Sequence, residues 1–314
     1  MPLNPEIAAY LQLVEAGREQ RTPMHQMTAE QARAEFDRSA AQFTLEGAPL
    51  ARVESHWISA RDGAQLQARL YSAQVGATGQ PALLYLHGGG YVVGSLDSHD
   101  SLCRGLAEAG GYAVLAVAYR RAPEQRFPVA CNDALDAWHW LTRQAPALGL
   151  DPQRLAVGGD SVGASLATVL ARELALAQAP LQPRLQVLIY PVTDATAQTP
   201  SLQRYAEGHL LESATLEWFY QQYARQPADR HDPRFSPLLG AVPANSAPAL
   251  VLLAECDPLH DEGLAYVAHL REAGVAVQLH DYEGMTHDFM RMGLIVEEAD
   301  DALQVIGEAL ATVF

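Results

Sequence analysis

Short apolar runs that alternate with helical stretches restrict the possible folds of this chain more than any other feature. The first of these runs are continuously apolar and bounded by glycine or proline, which is typical of strands buried on both faces. Helical stretches such as residues 133–145 lie between them, and an amphipathic helix over 293–314 is predicted to close the chain. This alternation predicts an α/β fold, a mostly parallel twisted sheet covered by helices. The runs are "PALLYLH" (81–87), "YAVLAVAY" (112–119), "RLAVGG" (154–159), "LQVLIYP" (185–191), "PALVLLAE" (248–255) and "VAVQLHDYE" (275–283).

A hairpin precedes this alternation. Residues 53–60 ("VESHWISA") and 64–73 ("AQLQARLYSA") each alternate apolar and polar side chains, and Arg61-Asp62-Gly63 forms a turn signal between them. The sheet is therefore expected to have an antiparallel start and about eight strands.

Two segments fall outside the alternation. Residues 1–47 read as helical, with Ile7, Leu11 and Val14 at helical spacing and with Thr28 and Gln31 resembling a capping box. Residues 195–245 contain one helical face, formed by Leu216, Phe219, Tyr220 and Tyr223. Long insertions in α/β folds tend to form lids or binding elements.

The charge balance excludes several classes of function. The net charge of −16 repels nucleic acid and anionic lipid surfaces, so neither is an expected partner. All 21 basic residues are arginine. This excludes a phosphate-loop lysine, a Schiff-base lysine for pyridoxal phosphate and a Ser-Lys dyad.

Cysteine usage and hydropathy indicate the compartment. Cys103, Cys131 and Cys256 are widely spaced, without the pairs that metal sites or disulfide frameworks use. The N-terminus lacks the pattern of a signal peptide, and no apolar run approaches the length of a membrane-spanning helix. A reducing cytoplasm is the expected location, without stable membrane insertion.

Ser161 is the candidate nucleophile. It lies in Gly159-Asp160-Ser161-Val162-Gly163, a G-x-S-x-G pattern between a predicted strand and a predicted helix. The two glycines suit a tight, strained turn, and the helix N-terminus behind the serine offers free amides to an oxyanion. A serine that only caps the helix fits the same local residues.

A serine nucleophile needs a base, and His287 is the best candidate. It follows the last predicted strand on a glycine-containing loop, as expected of a group at the carboxyl edge of the sheet. His280 lies within that strand, where a histidine is more often a packing or surface residue. His260 opens a helix, where a solvated histidine is expected.

The imidazole in turn needs a carboxylate. Asp257 follows a strand in the tight turn "ECDPLHDEG" and is preferred, while Asp194 is the reserve candidate and has a local cap as its alternative role. Ser161, Asp257 and His287 follow the chain order of α/β hydrolases.

The three glycines of "LHGGGYVVGS" follow a buried strand, where they are costly unless the backbone itself is functional. Gly88 and Gly89 are predicted to direct their amides into the cavity and to form an oxyanion hole with the amide of Val162. The spacing to Gly94 does not fit a G-x-G-x-x-G phosphate loop. His87 is expected to orient this loop.

These motifs resemble the hormone-sensitive lipase family of α/β-hydrolase carboxylesterases, particularly its bacterial members. The matching segments are "HGGGYVVGS" (87–95), "YRRAPEQRFP" (119–128), "GGDSVGASLA" (158–167), "DPLHDEG" (257–263) and "HDF" (287–289). The resemblance implies a Ser161, Asp257 and His287 triad. It also implies a catalytic domain at 48–194 and 246–314, and a helical cap at 1–47 and 195–245.

This chain departs from the family pattern at three positions. Ala164 replaces a glycine behind the elbow, Val162 replaces an alanine beside the nucleophile, and Asp288 replaces the glycine after the histidine. If the Asp288 carboxylate faces the site, it raises the pKa of His287.

The predicted substrate contacts are Tyr91, Asp160, Leu211 and Phe219.

Together, the motifs and the resemblance predict hydrolysis of short- to medium-chain acyl esters through an acyl-enzyme, with no cofactor and no metal. An amidase or arylformamidase with the same triad is the alternative, and a non-catalytic ligand receptor on the same fold ranks below both. The partner is a small-molecule ester. The edge strand near 275–283 offers a surface for pairing two copies as a homodimer.

Overall fold

An eight-stranded sheet forms the centre of the structure, a computed structural model that describes residues 2–17, 21–43, 49–76 and 78–314. Its strand order is β1-β2-β4-β3-β5-β6-β7-β8, and the predicted number of about eight strands is confirmed. The strands are β1 Arg52–Ser59, β2 Gln65–Ser72, β3 Gln80–Leu86, β4 Ala113–Val117, β5 Leu150–Asp160, β6 Gln186–Ile189, β7 Ala249–Ala254 and β8 Val277–Tyr282.

β2 is antiparallel to both of its neighbours in the sheet. It pairs antiparallel with β1 and with β4, while every pair from β4 to β8 is parallel. The predicted hairpin is therefore confirmed. All parallel strands direct their carboxyl ends to one edge of the sheet, where the reactive groups predicted from the sequence follow β3, β5, β7 and β8.

Helices cover both faces of the sheet because the central strands are apolar throughout. Leu84 and Leu86 pack into a core with helices Val129–Gln144 and Val162–Leu176, whereas Leu83 and Tyr85 on the same strand pack into a second core with helices Asp100–Ala109 and Glu298–Val313. Successive side chains of a strand point to opposite faces, so a continuously apolar strand fills both cores. The helices are α1 Pro5–Ala16, α2 Ala29–Phe43, α3 Asp100–Ala109, α4 Val129–Gln144, α5 Val162–Leu176, α6 Pro200–Arg204, α7 Ser213–Tyr223, α8 His260–Glu272 and α9 Glu298–Val313.

The two segments outside the alternation carry α1 and α2, and α6 and α7. Thr28 and Gln31 form the expected reciprocal hydrogen bonds at the start of α2. The predicted boundary between residues 47 and 48 lies outside the described residues.

The closing helix is shorter than predicted. Its predicted start is residue 293, but residues 293–295 form a turn and α9 begins at Glu298. The first turn of α9 holds Glu298, Asp300 and Asp301, and acidic side chains are stabilised there by the helix dipole. The helix therefore starts at the acidic cluster and not at the apolar residues before it.

Candidate active site

Ser161 lies at a strained elbow between β5 and α5. Its φ of +54° and ψ of −123° are disfavoured for a residue with a Cβ atom, and such strain is typical of functional turns. A Cβ atom at Gly159 would lie 2.2 Å from the Leu86 oxygen, and one at Gly163 would lie 1.9 Å from it. Both positions therefore require glycine.

The alternative role of Ser161 as a helix cap is not supported. Its side chain makes no capping hydrogen bond to α5. The hydroxyl lies instead 3.0 Å from Nε2 of His287.

His287 and Asp257 complete a continuous hydrogen-bonded chain. Nδ1 of His287 lies 2.6 Å from Oδ2 of Asp257, whose other carboxylate oxygen accepts from the Leu259 amide at 2.9 Å. All three side chains are buried, with Ser161 only 7% exposed. The acceptor on Nδ1 leaves Nε2 free to take the serine proton, which is the arrangement of a Ser-His-Asp triad. Asp194 lies in a local turn, where it accepts from the amide and hydroxyl of Thr196 at 2.8 and 2.6 Å.

The charges around His287 raise its pKa. Burial alone lowers the pKa of an imidazole, but the negative charge of Asp257 and its hydrogen bond outweigh that effect, with a further contribution from Asp288. Asp288 lines the same cavity as His287, at a φ of +68°, in keeping with the prediction that its carboxylate raises the pKa of His287.

Two carbonyls of the glycine loop, residues 87–94, are held by hydrogen bonds within the loop. The Gly88 oxygen lies 2.8 Å from Nδ1 of His87, the orienting role expected of that histidine, and the Gly89 oxygen accepts from the amides of Val92 and Val93 at 3.0 and 2.8 Å. In a planar trans peptide the N–H points opposite to the C=O. The next amides, those of Gly89 and Gly90, are thereby directed to the other side.

The amides available to an oxyanion are those of Gly89, Gly90 and Val162. All three residues line the cavity, and within the described parts of the chain none of these amides has a hydrogen-bond partner. The prediction for Gly88 is wrong because its amide donates to Oδ1 of Asp160 at 3.0 Å. Glycine spacing alone cannot distinguish these registers.

Asp160 and Tyr91 are not cavity residues, so their prediction as substrate contacts is also wrong. Asp160 is 1% exposed and accepts from Oη of Tyr85 at 2.6 Å, with Nε2 of His99 at 3.3 Å. Burial raises the pKa of a carboxylate, but His99 and the hydrogen bonds hold the pKa of Asp160 well below its usual range. Tyr91 is fully buried and stacks on Tyr223 at a ring distance of 3.8 Å.

A cavity of about 250 Å³ opens over the triad. Leu211 and Phe219, the other two predicted substrate contacts, line it, and Phe219 packs so closely on Gly90 that a Cβ atom there would lie 2.1 Å from its ring. Most of the apolar wall has no signature in the sequence, because its residues come from four separate segments and share no motif. The further apolar lining residues are Met24, Phe36, Val162, Leu210, Leu216 and Met292.

The YRRAPEQRFP segment also acquires a structural role, which the sequence did not indicate. The Tyr119 hydroxyl donates to the His87 oxygen at 2.8 Å, and the Ala122 amide donates to the Tyr91 oxygen at 2.8 Å. The segment therefore braces the glycine loop.

In the part of the chain that the structure describes, no group of three His, Cys, Asp or Glu side chains is placed to hold a metal ion.

Comparison with known proteins places this geometry in context. A profile of a family described as having the alpha/beta hydrolase fold matches residues 83–291. The ethyl acetate hydrolase of Pseudomonas putida is 60% identical over 314 residues, which cover 99% of each chain. The carboxylesterase NlhH of Mycobacterium tuberculosis is 34% identical and covers 81% of this chain and 80% of its own. Among solved structures, a hyperthermophilic esterase from the archaeon Pyrobaculum calidifontis matches with a TM-score of 0.94 and 36% identity over 99% of both chains.

Proposed function

This chain belongs to the α/β-hydrolase family and is a carboxylic-ester hydrolase, and from that premise we propose that Ser161, His287 and Asp257 cleave small esters as its catalytic triad. The observation that carries the proposal is the unbroken chain from Oγ of Ser161 to Nε2 of His287 and from Nδ1 to Asp257, at 3.0 and 2.6 Å.

The first half of the reaction acylates the enzyme. Oγ of Ser161 attacks the ester carbonyl while its proton moves to Nε2 of His287, and Asp257 stabilises the imidazolium. The carbonyl oxygen becomes an oxyanion that accepts from the amides of Gly89, Gly90 and Val162. When the intermediate collapses, the bond to the alcohol oxygen breaks and His287 returns the proton to it.

The second half releases the acid. A water molecule gives a proton to His287 and attacks the acyl-enzyme carbonyl, so that a second oxyanion forms at the same three amides. Collapse breaks the bond to Oγ, and His287 returns the proton to Ser161. No other reactant is consumed.

The size of the cavity favours short acyl chains. Its volume of about 250 Å³ is below the usual range of roughly 300–1,000 Å³ for small-molecule sites. Val162 adds bulk directly beside the nucleophile and Phe219 lies against Gly90. The similarity to an ethyl acetate hydrolase points in the same direction, and we propose acetate and propionate esters as the preferred class within the short- to medium-chain range.

The test is hydrolysis of p-nitrophenyl esters of graded acyl length by the wild type and by Ser161→Ala. We expect turnover to peak at two or three acyl carbons and to be lost in the variant. Ser246→Ala is the matched control because Ser246 is half-buried and its buried hydroxyl oxygen has no hydrogen-bond partner within the described residues. Turnover by Ser161→Ala equal to that of the wild type would contradict the mechanism. Faster cleavage of the matched anilides than of the esters would favour the amidase alternative.

A cytoplasmic location and a homodimer are further parts of this proposal. No helix within the described ranges is long and apolar enough to span a membrane. The three cysteines are free and buried, in keeping with a reducing compartment. β8 forms one edge of the sheet, and pairing of two such edges would unite two sheets. Analytical ultracentrifugation tests the dimer, and a monomer at micromolar concentration would contradict it.

A further inference from the structure

We propose that Arg33, on helix α2, is a positioning residue for the oxyanion hole. Its Nε donates to the Val92 oxygen at 2.8 Å, and its Nη2 donates to the Ala122 oxygen at 2.7 Å. Val92 belongs to the glycine loop and Ala122 to the segment that braces it. One guanidinium therefore ties α2 to both.

Two peptide planes connect Arg33 to a catalytic amide. The peptide that carries the Val92 oxygen also carries the Val93 amide, which donates to the Gly89 oxygen at 2.8 Å. The peptide that carries the Gly89 oxygen also carries the Gly90 amide, which faces the cavity. Because each trans peptide is planar, fixing the oxygen of one plane fixes the direction of its N–H. Arg33 thereby sets the direction of the Gly90 amide.

The second contact of Arg33 supports the same loop. The Ala122 oxygen accepts from Arg33, and the Ala122 amide donates to the Tyr91 oxygen at 2.8 Å. The peptide of that oxygen carries the Val92 amide, which also donates to Gly89 at 3.0 Å. Both donors to the Gly89 carbonyl are thus held in place through Arg33.

The loop needs such external support because its own backbone is strained. Gly89, Gly90 and Tyr91 have φ angles of +113°, +58° and +64°. Glycine adopts such angles freely, but Tyr91 carries a Cβ atom, and its conformation is unfavourable unless surrounding contacts impose it. A second residue of α2 also contacts the chain just after this loop. Asp37, one helical turn after Arg33, accepts from Oγ of Ser95 at 3.1 Å.

The ion pair of Arg33 has a smaller role. Nη1 and Nη2 donate to Glu124 at 2.9 and 2.6 Å, but the Glu124 side chain is 60% exposed, so solvent screens the attraction. The pair orients the guanidinium, and the two bonds to backbone oxygens carry the effect on the loop. Arg33 lies outside residues 83–291, the part of the chain that matches the family profile.

The experiment compares Arg33→Met with the wild type in steady-state hydrolysis of p-nitrophenyl acetate. A misdirected oxyanion donor lowers kcat, and we expect a fall of about 10- to 100-fold with KM changed less than about twofold. A trifluoromethyl ketone, whose adduct with Ser161 places an oxyanion in the hole, should lose affinity by the same factor. Arg33→Lys retains one donor to these oxygens and should be intermediate in both measurements.

Arg52→Met is the matched control. The side chain of Arg52 is 19% exposed, and that of Arg33 is 20% exposed. Arg52 also pairs with a glutamate, Glu54, and its Nη1 donates to a backbone oxygen, that of Leu148, at 3.1 Å. Its loss should lower stability to a similar extent and leave kcat and inhibitor affinity unchanged. Glu124→Gln should also leave kcat near the wild-type value.

Three outcomes would overturn the inference. They are a kcat of Arg33→Met no lower than that of Arg52→Met, a loss confined to KM, and an unchanged inhibitor affinity. If Arg33→Met does not fold, Arg33→Lys decides, and wild-type kcat and inhibitor affinity in that variant would overturn it. The inference rests on the proposed esterase function. An inactive wild type would contradict that function, whereas an active wild type with unaffected Arg33 variants would contradict only the role of Arg33.

Discussion

Replacing Asp160 by asparagine tests a second set of contacts that hold the glycine loop. Asp160 is 1% exposed and accepts from Oη of Tyr85, the amide of Gly88 and Nε2 of His99, at 2.6, 3.0 and 3.3 Å. Asparagine keeps the shape but removes the charge. A hydrogen bond to a charged group stabilises by about 1 kcal/mol more than one between neutral groups. Three such bonds are accepted by Asp160, so we expect Asp160→Asn to lower the free energy of unfolding by about 3 kcal/mol.

Two measurements check this estimate. For a chain of this size, about 2 °C per kcal/mol converts the loss into a decrease in Tm of about 6 °C, measurable by calorimetry. The weakened hold on the Gly88 amide should also lower kcat about 10-fold, less than the 100- to 1,000-fold effect of losing a whole oxyanion donor.

Asp136→Asn is the control for this prediction. Asp136 is 9% exposed and accepts from the amide and Nε of Arg61, each at 2.9 Å, in contact with the β1–β2 turn. By the same reasoning, the free energy of unfolding of Asp136→Asn should fall by about 2 kcal/mol, while its kcat should equal that of the wild type. An Asp160→Asn variant with wild-type Tm and kcat would refute the reasoning. A lower Tm with unchanged kcat would refute the link to the glycine loop alone.

Three further predictions concern the triad and its cavity. Because only neutral His287 accepts a proton and Asp288 helps to raise the pKa of His287, the acidic limb of kcat/KM should move to lower pH in Asp288→Asn; identical pH–rate profiles would contradict this. Phe219→Ala should improve kcat/KM for p-nitrophenyl hexanoate relative to acetate, because it removes a ring that lies over Gly90, and an unchanged ratio would show that the ring does not limit acyl length. Gly163→Ala should prevent formation of the elbow and yield insoluble or inactive protein, since its methyl group would lie 1.9 Å from a backbone oxygen, and wild-type activity would contradict that geometry.

The sequence specified the triad because each of its members leaves a local signature. Ser161 lies between two glycines whose Cβ positions are occupied by backbone, and Asp257 and His287 lie on the loops that follow two strands of the parallel part of the sheet. Parallel strands bring their carboxyl ends together whatever the detailed packing, so residues that follow such strands are predictable neighbours.

What only the tertiary structure decided is where the backbone groups of the glycine loop point and which side chains enclose the substrate. The sequence assigned Gly88 to the oxyanion hole, but Asp160 accepts the amide of Gly88, and Gly90 faces the cavity instead. Arg33 belongs to a helix nearly sixty residues before the loop residue that it binds. An amide's direction depends on the partner of the carbonyl in its own peptide plane, and those partners come from segments that meet only when the chain is folded. Side-chain chemistry at strand ends can therefore be read from the sequence, whereas the backbone donors that stabilise the oxyanion cannot.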